Sequence, residues 1–153
     1  MILLDTNIFV IDRLFPRYDR FEQNRHFVTV IPQLRCGFSI FSLLELCGIS
    51  SFNLSTQELR RWMYSFEEAY PVEILPPLAM KEASAASWLS SFFTSLFERI
   101  EHKVTLGDAF VLQTAEEYQV DALVTWNPKD FTDRTTLPVL TPAEFLVQRE
   151  KTP

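Results

Sequence analysis

The chain has 153 residues, 47% of them hydrophobic and 22% charged, with 14 Phe against three Gly. That composition suits one domain with a sizeable core and excludes a disordered or collagen-like chain. The formal net charge of −6 argues against a protein that grips nucleic acid through a broad basic face, while leaving room for a basic rim around an acidic centre.

Residues 2–4 read as a short buried strand that ends at Asp5, and Ile8 to Leu14 as the start of a helix. Residues 15–26 are polar, broken by Pro16, and with Arg13 they hold the densest basic cluster: Arg13, Arg17, Arg20 and Arg25. Phe27 to Ile31 reads as a strand or a helix end before Pro32. Phe38 to Phe41 reads as a second strand, after which Ser42 opens a helix through Gly48. Ser55 with Glu58 three residues on makes a capping box for a helix over residues 55–69, with Leu59, Trp62, Met63 and Phe66 on one face. Tyr70 to Leu75 is a strand stopped by Pro76 and Pro77.

A long helical pattern follows from Leu78 to about Ile100, with Ala83, Ala86, Leu89, Phe93, Leu96 and Ile100 as its stripe. Phe92 and Phe97 fall off that stripe, so this helix is apolar on more than one side. Its aromatics (Trp88, Phe92, Phe93, Phe97) serve either the core or an interface with a second copy or a partner. A helix from Leu106 to Tyr118, a buried strand from Ala122 to Trp126, a short strand at Val139-Leu140 and a last helical turn from Pro142 to Val147 complete the chain. There is no internal repeat. Strands alternating with helices point to an α/β fold around a parallel sheet, as a single domain over residues 1–153.

No basic segment leads into an apolar stretch at the N-terminus, and no run of about 18 apolar residues occurs. The expectation is a cytoplasmic protein without a membrane. Cys36 and Cys47 have no partners at metal-ligand spacing and read as reduced core residues. His26 and His102 read as surface residues.

Four acidic positions stand out. Asp5 is the sole charge in residues 1–11, and Glu45 the sole charge from Cys36 to Ser51. A carboxylate in an apolar run is costly to bury unless something pairs with it. Asp5 either closes its strand through an Asx turn or faces a ligand at the strand's carboxyl end. Glu45 either caps a helix from Ser42 or sits buried on a helix that is apolar nearly all round. Asp108 begins a helix whose face also carries Val111, Leu112 and Ala115, and is either a first-turn acid or part of a site. In Thr125-Trp126-Asn127-Pro128-Lys129-Asp130, polar groups follow a buried strand, as in an ordinary turn or a fourth part of the cluster.

The order of these motifs is more specific than any one of them. Asp5-Thr6-Asn7 after the first strand, Ser-x-x-Glu-Leu ending at Leu46, Gly107-Asp108-Ala109 opening a late helix, and Leu-Val-Thr-x-Asn-x-x-Asp-Phe over residues 123–131 resemble the PIN domain. Within it they are similar to the VapC-type toxins of toxin–antitoxin pairs. Leu140-Thr141-Pro142-Ala143-Glu144-Phe145-Leu146 resembles that family's ending. Residues 15–35 and 50–100 have no matching motif.

The resemblance implies a three-layer α/β/α sandwich with a central, mostly parallel sheet. It implies an endoribonuclease that holds Mg²⁺ or Mn²⁺ on Asp5, Asp108 and Glu45, with Asp130 as a fourth catalytic carboxylate. Thr6, Asn7, Thr125 and Asn127 would then support these acids, and Arg13, Arg17 and Lys129 would contact RNA. A homodimer and a small antitoxin partner are implied as well. Two positions depart from the pattern: Asn127 stands where many members have an acid, and Trp126 where an Arg is common. An indole at 126 could stack on a base instead. The altered motif also allows a catalytically silent PIN fold that acts by binding a partner, or an RNA-processing nuclease outside toxin–antitoxin systems. A haloacid-dehalogenase-type phosphotransferase would need an acid where Asn7 stands.

Overall fold

Three aliphatic residues in a row can bury both faces of a strand, and Ile2–Leu4 does so as β1 at the centre of a five-stranded sheet. The computed structural model describes residues 1–78 and 84–151. The other strands are β2 (Cys36–Ser39), β3 (Glu73–Leu75), β4 (Ala122–Val124) and β5 (Val139–Leu140). Their order is β3-β2-β1-β4-β5 and every pairing is parallel. Among the described residues seven helices surround them: α1 (Thr6–Leu14), α2 (Phe21–Val30), α3 (Ile40–Ser50), α4 (Thr56–Ala69), α5 (Ala85–Glu101), α6 (Leu106–Glu117) and α7 (Pro142–Lys151). None is long and apolar enough to cross a membrane.

The pleat divides the core in two. Ile2, Leu4, Ala122 and Val124 point into a cluster with Phe9, Phe27, Phe38, Leu43, Phe66 and Trp126. Leu3 and Leu123 point the other way, toward Leu75, Phe92, Leu96, Val111 and Leu112. Helices therefore cover both faces, which is the expected three-layer sandwich, with a sheet that is parallel throughout. Phe9 anchors the first cluster, its ring 4.7 Å from Phe38, 5.1 Å from Phe66 and 4.7 Å from Tyr70. At Gly37 a Cβ would lie 2.5 Å from Leu75 Cδ1, so a larger residue here would force the buried Leu75 side chain to shift.

The chain winds from β1 through β2 to β3 on one side, then crosses to β4 and β5 on the other. The direction reverses at the carboxyl ends of β1 and β4, where such sheets open a crevice. Asp5 and Thr125 follow those two strand ends directly.

The structure differs from the sequence reading in several places. Residues 21–30 form one helix, α2, which takes in the second half of the polar stretch over 15–26 and settles Phe27 to Ile31 as a helix end rather than a strand. Its inner face carries Phe21, Asn24 and Phe27, and the buried Asn24 disguised the amphipathic pattern. Asn24 Nδ2 donates to the Ile8 carbonyl at 2.9 Å and its Oδ1 accepts from Trp126 Nε1 at 2.7 Å, so both ends of the buried amide are hydrogen-bonded.

β2 begins at Cys36, and the cap of α3 is Ser39, whose Oγ accepts from the Phe41 N–H, rather than Ser42. The buried stripe of α5 is Phe92 and Leu96, with Trp88 half-buried, whereas Leu89, Phe93, Phe97 and Ile100 are exposed. Phe92 packs on Trp88 at 5.3 Å and Phe110 at 6.2 Å, a choice of face that a helix apolar all round does not declare. The helix begins at Ala85, and Ala83 lies outside the described residues. Finally, β4 stops at Val124 and α7 runs on to Lys151.

Candidate active site

Asp5 is held by the sheet itself. Its N–H donates to the Val124 carbonyl at 3.0 Å, which extends the β1–β4 ladder by one residue. Its side chain is 8% exposed and does not cap α1, so the Asx-type closure of the strand is not its role. Asp5 Oδ2 instead accepts from Asn7 Nδ2 at 2.6 Å and from Thr125 Oγ1 at 2.6 Å. Asn7 Nδ2 also donates to Thr125 Oγ1 at 2.9 Å, and Asn7 Oδ1 accepts from the Trp126 N–H at 3.2 Å. Asn7 thus braces the ends of β1 and β4 against each other.

Glu45 reaches the same place from α3, and it is exposed rather than buried. It does not close a capping box, because the helix is capped at Ser39, three residues before Ser42, and Ser42 lies inside it. Glu45 Oε2 accepts from Thr6 Oγ1 at 2.6 Å, one residue along from Asp5. On its other side Glu45 meets α6: a Cβ on Gly107 would stand 3.2 Å from Glu45 Oε1. Glycine at 107 leaves room for this carboxylate at the mouth of the helix.

Asp108 is half-buried in the first turn of α6. Thr105 caps that helix, its Oγ1 accepting from the Asp108 N–H at 3.2 Å and donating to Asp108 Oδ2 at 2.6 Å. The Thr-x-x-Asp spacing that sets this reciprocal pair was visible in the sequence but went unread. Val111, Leu112 and Ala115 on the same face are buried as their spacing predicts. Arg134, also missed, donates to the carbonyls of His102 and Lys103, and so pins the turn that carries Thr105.

The fourth segment forms a short 3₁₀ turn, Pro128–Asp130. Asp130 is half-buried and near enough to Asp108 for their charges to interact. Asn127 is exposed, with its backbone N–H bound to Thr125 Oγ1 at 3.0 Å. Trp126 is not free to stack on a base. It is 5% exposed, bonded through Nε1 to Asn24 and covered by the Arg20 guanidinium 5.2 Å from its ring.

The basic residues divide. Arg13 lies over the rings of Tyr70 (4.8 Å) and Trp62 (5.7 Å), and Arg25 over Phe21 (5.9 Å). Arg17 and Lys129 are exposed. His26 and His102 are exposed, as expected. Cys36 and Cys47 are both free, and burial pushes the Cys36 thiol up to about 12.

The electrostatics of the acids agree with their geometry. Burial raises Asp5 from its ordinary 3.8 to about 7, opposed by the Thr125 hydroxyl and the Thr6 N–H, with the charges of Asp108 and Glu45 raising it further. Asp108 is also raised, first by burial and then by Asp130, with Thr105 and Arg134 pulling the other way. Among the described residues none of these acids takes part in an ion pair. The donors are carboxylates with hydroxyl and amide groups around them, a set suited to a hard divalent cation. Among the described residues no three carboxylate, imidazole or thiol groups stand close enough to hold one ion between them. Such a cation would rest on one or two carboxylates, with water completing its shell.

The sequence matches no protein-family model and no curated protein. Solved structures do share its fold. FitAcB from Neisseria gonorrhoeae aligns over 94% of this chain and 99% of its own, with a TM-score of 0.64 and 17% identity. A toxin–antitoxin complex from Klebsiella pneumoniae aligns over 93% of this chain and 98% of its own, with a TM-score of 0.59 and 22% identity. VapBC2 from Rickettsia felis, bound to a DNA fragment from their promoter, aligns over 92% and 98%, with a TM-score of 0.59 and 20% identity. At these identities the likeness establishes the fold.

Proposed function

We propose that this protein is a PIN-class endoribonuclease dependent on Mg²⁺ or Mn²⁺, and the toxin half of a toxin–antitoxin pair that works as a homodimer with a small antitoxin partner. The observation that carries the reading is Asp5: a buried carboxylate without an ion-pair partner among the described residues, set at the reversal point of the sheet, with Glu45 and Asp108 brought near it from two helices. A structural role alone leaves the charge of such a carboxylate hydrogen-bonded but without a counter-ion. That the fold is shared with structures of toxin–antitoxin complexes supports the second half of the reading.

A divalent cation supplies charge neutralisation at the phosphate and makes a water more acidic. The chain's own groups do the rest. Asp5 and Asp108 would hold the ion, Asp5 fixed in orientation by Thr125 and Asn7, and Asp108 by Thr105. Glu45, exposed at the rim and held by Thr6, would take a proton from the water that attacks phosphorus. Asp130 adds negative charge beside Asp108 and strengthens the pull on a cation.

A second reading, a silent PIN fold that only binds a partner, is favoured by the open spacing of the acids and by the amide at Asn127. Cleavage of a mixed RNA pool with Mg²⁺ or Mn²⁺ decides between them, comparing the native chain with Asp5→Asn and Asp108→Asn. Metal-dependent cutting lost in both variants supports the nuclease. Equal cutting by all three is contamination and refutes it.

A further inference from the structure

A cleft of about 270 Å³ opens beside the acidic centre, lined by Asn7, Ile11, Phe15, Tyr18, Trp126 and Asn127. Asn7 is common to both places, since the amide on the cleft wall donates to Asp5 Oδ2. Whatever fills the cleft therefore lies next to whatever is bound at Asp5. Two of the lining rings are exposed, Phe15 at 52% and Tyr18 at 48%.

An ordered turn holds these rings in place. The Phe15 N–H donates to the Ile11 carbonyl at 3.3 Å, the Tyr18 N–H to Phe15 at 3.0 Å, and the Phe21 N–H to Tyr18 at 2.8 Å. Arg20 ties the same turn to the segment that follows β4, through the Trp126 carbonyl at 2.8 Å. Aromatic faces kept in water by a fixed backbone are suited to stacking. Arg17, between the two rings in sequence, is exposed and has no ion pair among the described residues, which puts free positive charge beside the cleft in a chain of net charge −6. The exposed Asn127 adds an amide at the rim, with a donor and an acceptor for a base edge.

The geometry points to a base-stacking subsite: Phe15 and Tyr18 take one unpaired base of a single-stranded RNA whose phosphate lies at the acidic centre, with Arg17 on the neighbouring phosphate. The volume is at the small end of ligand pockets and suits a single ring system. The subsite rests on the nuclease reading and deepens it, since it selects single-stranded over duplex RNA. It also moves the stacking role from the buried Trp126 to the turn before α2.

The test is binding of a labelled eight-nucleotide single-stranded RNA by fluorescence anisotropy in Ca²⁺, with its integrity checked afterwards on a gel. An abasic strand of the same length serves as control. The native protein is expected to bind the intact strand more tightly than the abasic one. Phe15→Ala with Tyr18→Ala is expected to weaken binding about tenfold and to erase the preference, while Phe15→Tyr retains both. Unchanged affinity in the double variant overturns the subsite and leaves the cleft to a protein side chain. Equal binding of intact and abasic strands by the native protein, or no binding of either, overturns it as well. Cutting of the RNA pool is scored separately, so a native protein that cuts RNA but binds the intact and abasic strands equally refutes the subsite alone.

Discussion

Replacing Asp5 with Asn should stabilise the metal-free protein above neutral pH. The carboxyl titrates near 3.8 when unfolded and near 7 when folded, so between these values the folded chain binds the extra proton. Its contribution to stability is therefore full below about 3.8 and is lost as pH rises through about 7. That displacement corresponds to about 4 kcal/mol between the two ends of the window, an upper bound because a strained site relaxes. Asn is neutral throughout and keeps an oxygen for the Thr125 hydroxyl and Asn7 amide. Urea unfolding in EDTA at several pH values from 4.5 to 8 checks this. The gap between Asp5→Asn and native protein should widen in favour of the variant as pH rises, and added Mn²⁺ should stabilise the native chain only. A gap that stays constant with pH, or a variant less stable at pH 8, would refute the reasoning.

Other expectations follow from the same geometry. Thr125→Val removes a donor to Asp5 and an acceptor for Asn7 and the Asn127 N–H, and should lower stability by about 1–3 kcal/mol in chemical denaturation. Gly107→Ala should displace Glu45 from the mouth of α6 while improving helix propensity by up to about 1 kcal/mol; cleavage rate should fall with no loss of melting temperature. Trp126→Phe leaves Asn24 Oδ1 without its donor, and should lower stability by about 1–3 kcal/mol without changing RNA affinity per folded molecule in an anisotropy titration. Phe9→Ala opens the cluster shared with Phe38, Phe66 and Tyr70 and should lose about 3–5 kcal/mol by urea unfolding.

The acidic positions were legible because an isolated charge in an apolar run is anomalous in itself: Asp5 follows three aliphatic residues, and Asp108 shares a face with Val111, Leu112 and Ala115. The parallel sheet was legible from strands separated by helical lengths. What stayed hidden was pairing at a distance. Trp126 reads as a free indole until Asn24, 102 positions away in the chain, takes its N–H. Asn24 in turn hides the start of α2 in a polar stretch. Glu45 lies on a helix with apolar residues all round, and only the packing of α3 against α6 decides which side faces water. The same ambiguity turned α5, where Phe92 rather than Phe93 faces inward.

The most direct test of the central claim, that acids from separate segments act as one cation-dependent centre, is calorimetric titration of Mn²⁺ into the native protein, Asp5→Asn and Asp108→Asn, each first shown to be folded. The account predicts saturable binding to the native chain that releases protons near pH 7, where Asp5 is about half protonated, and its loss in both variants. Equal binding by all three folded proteins would contradict it.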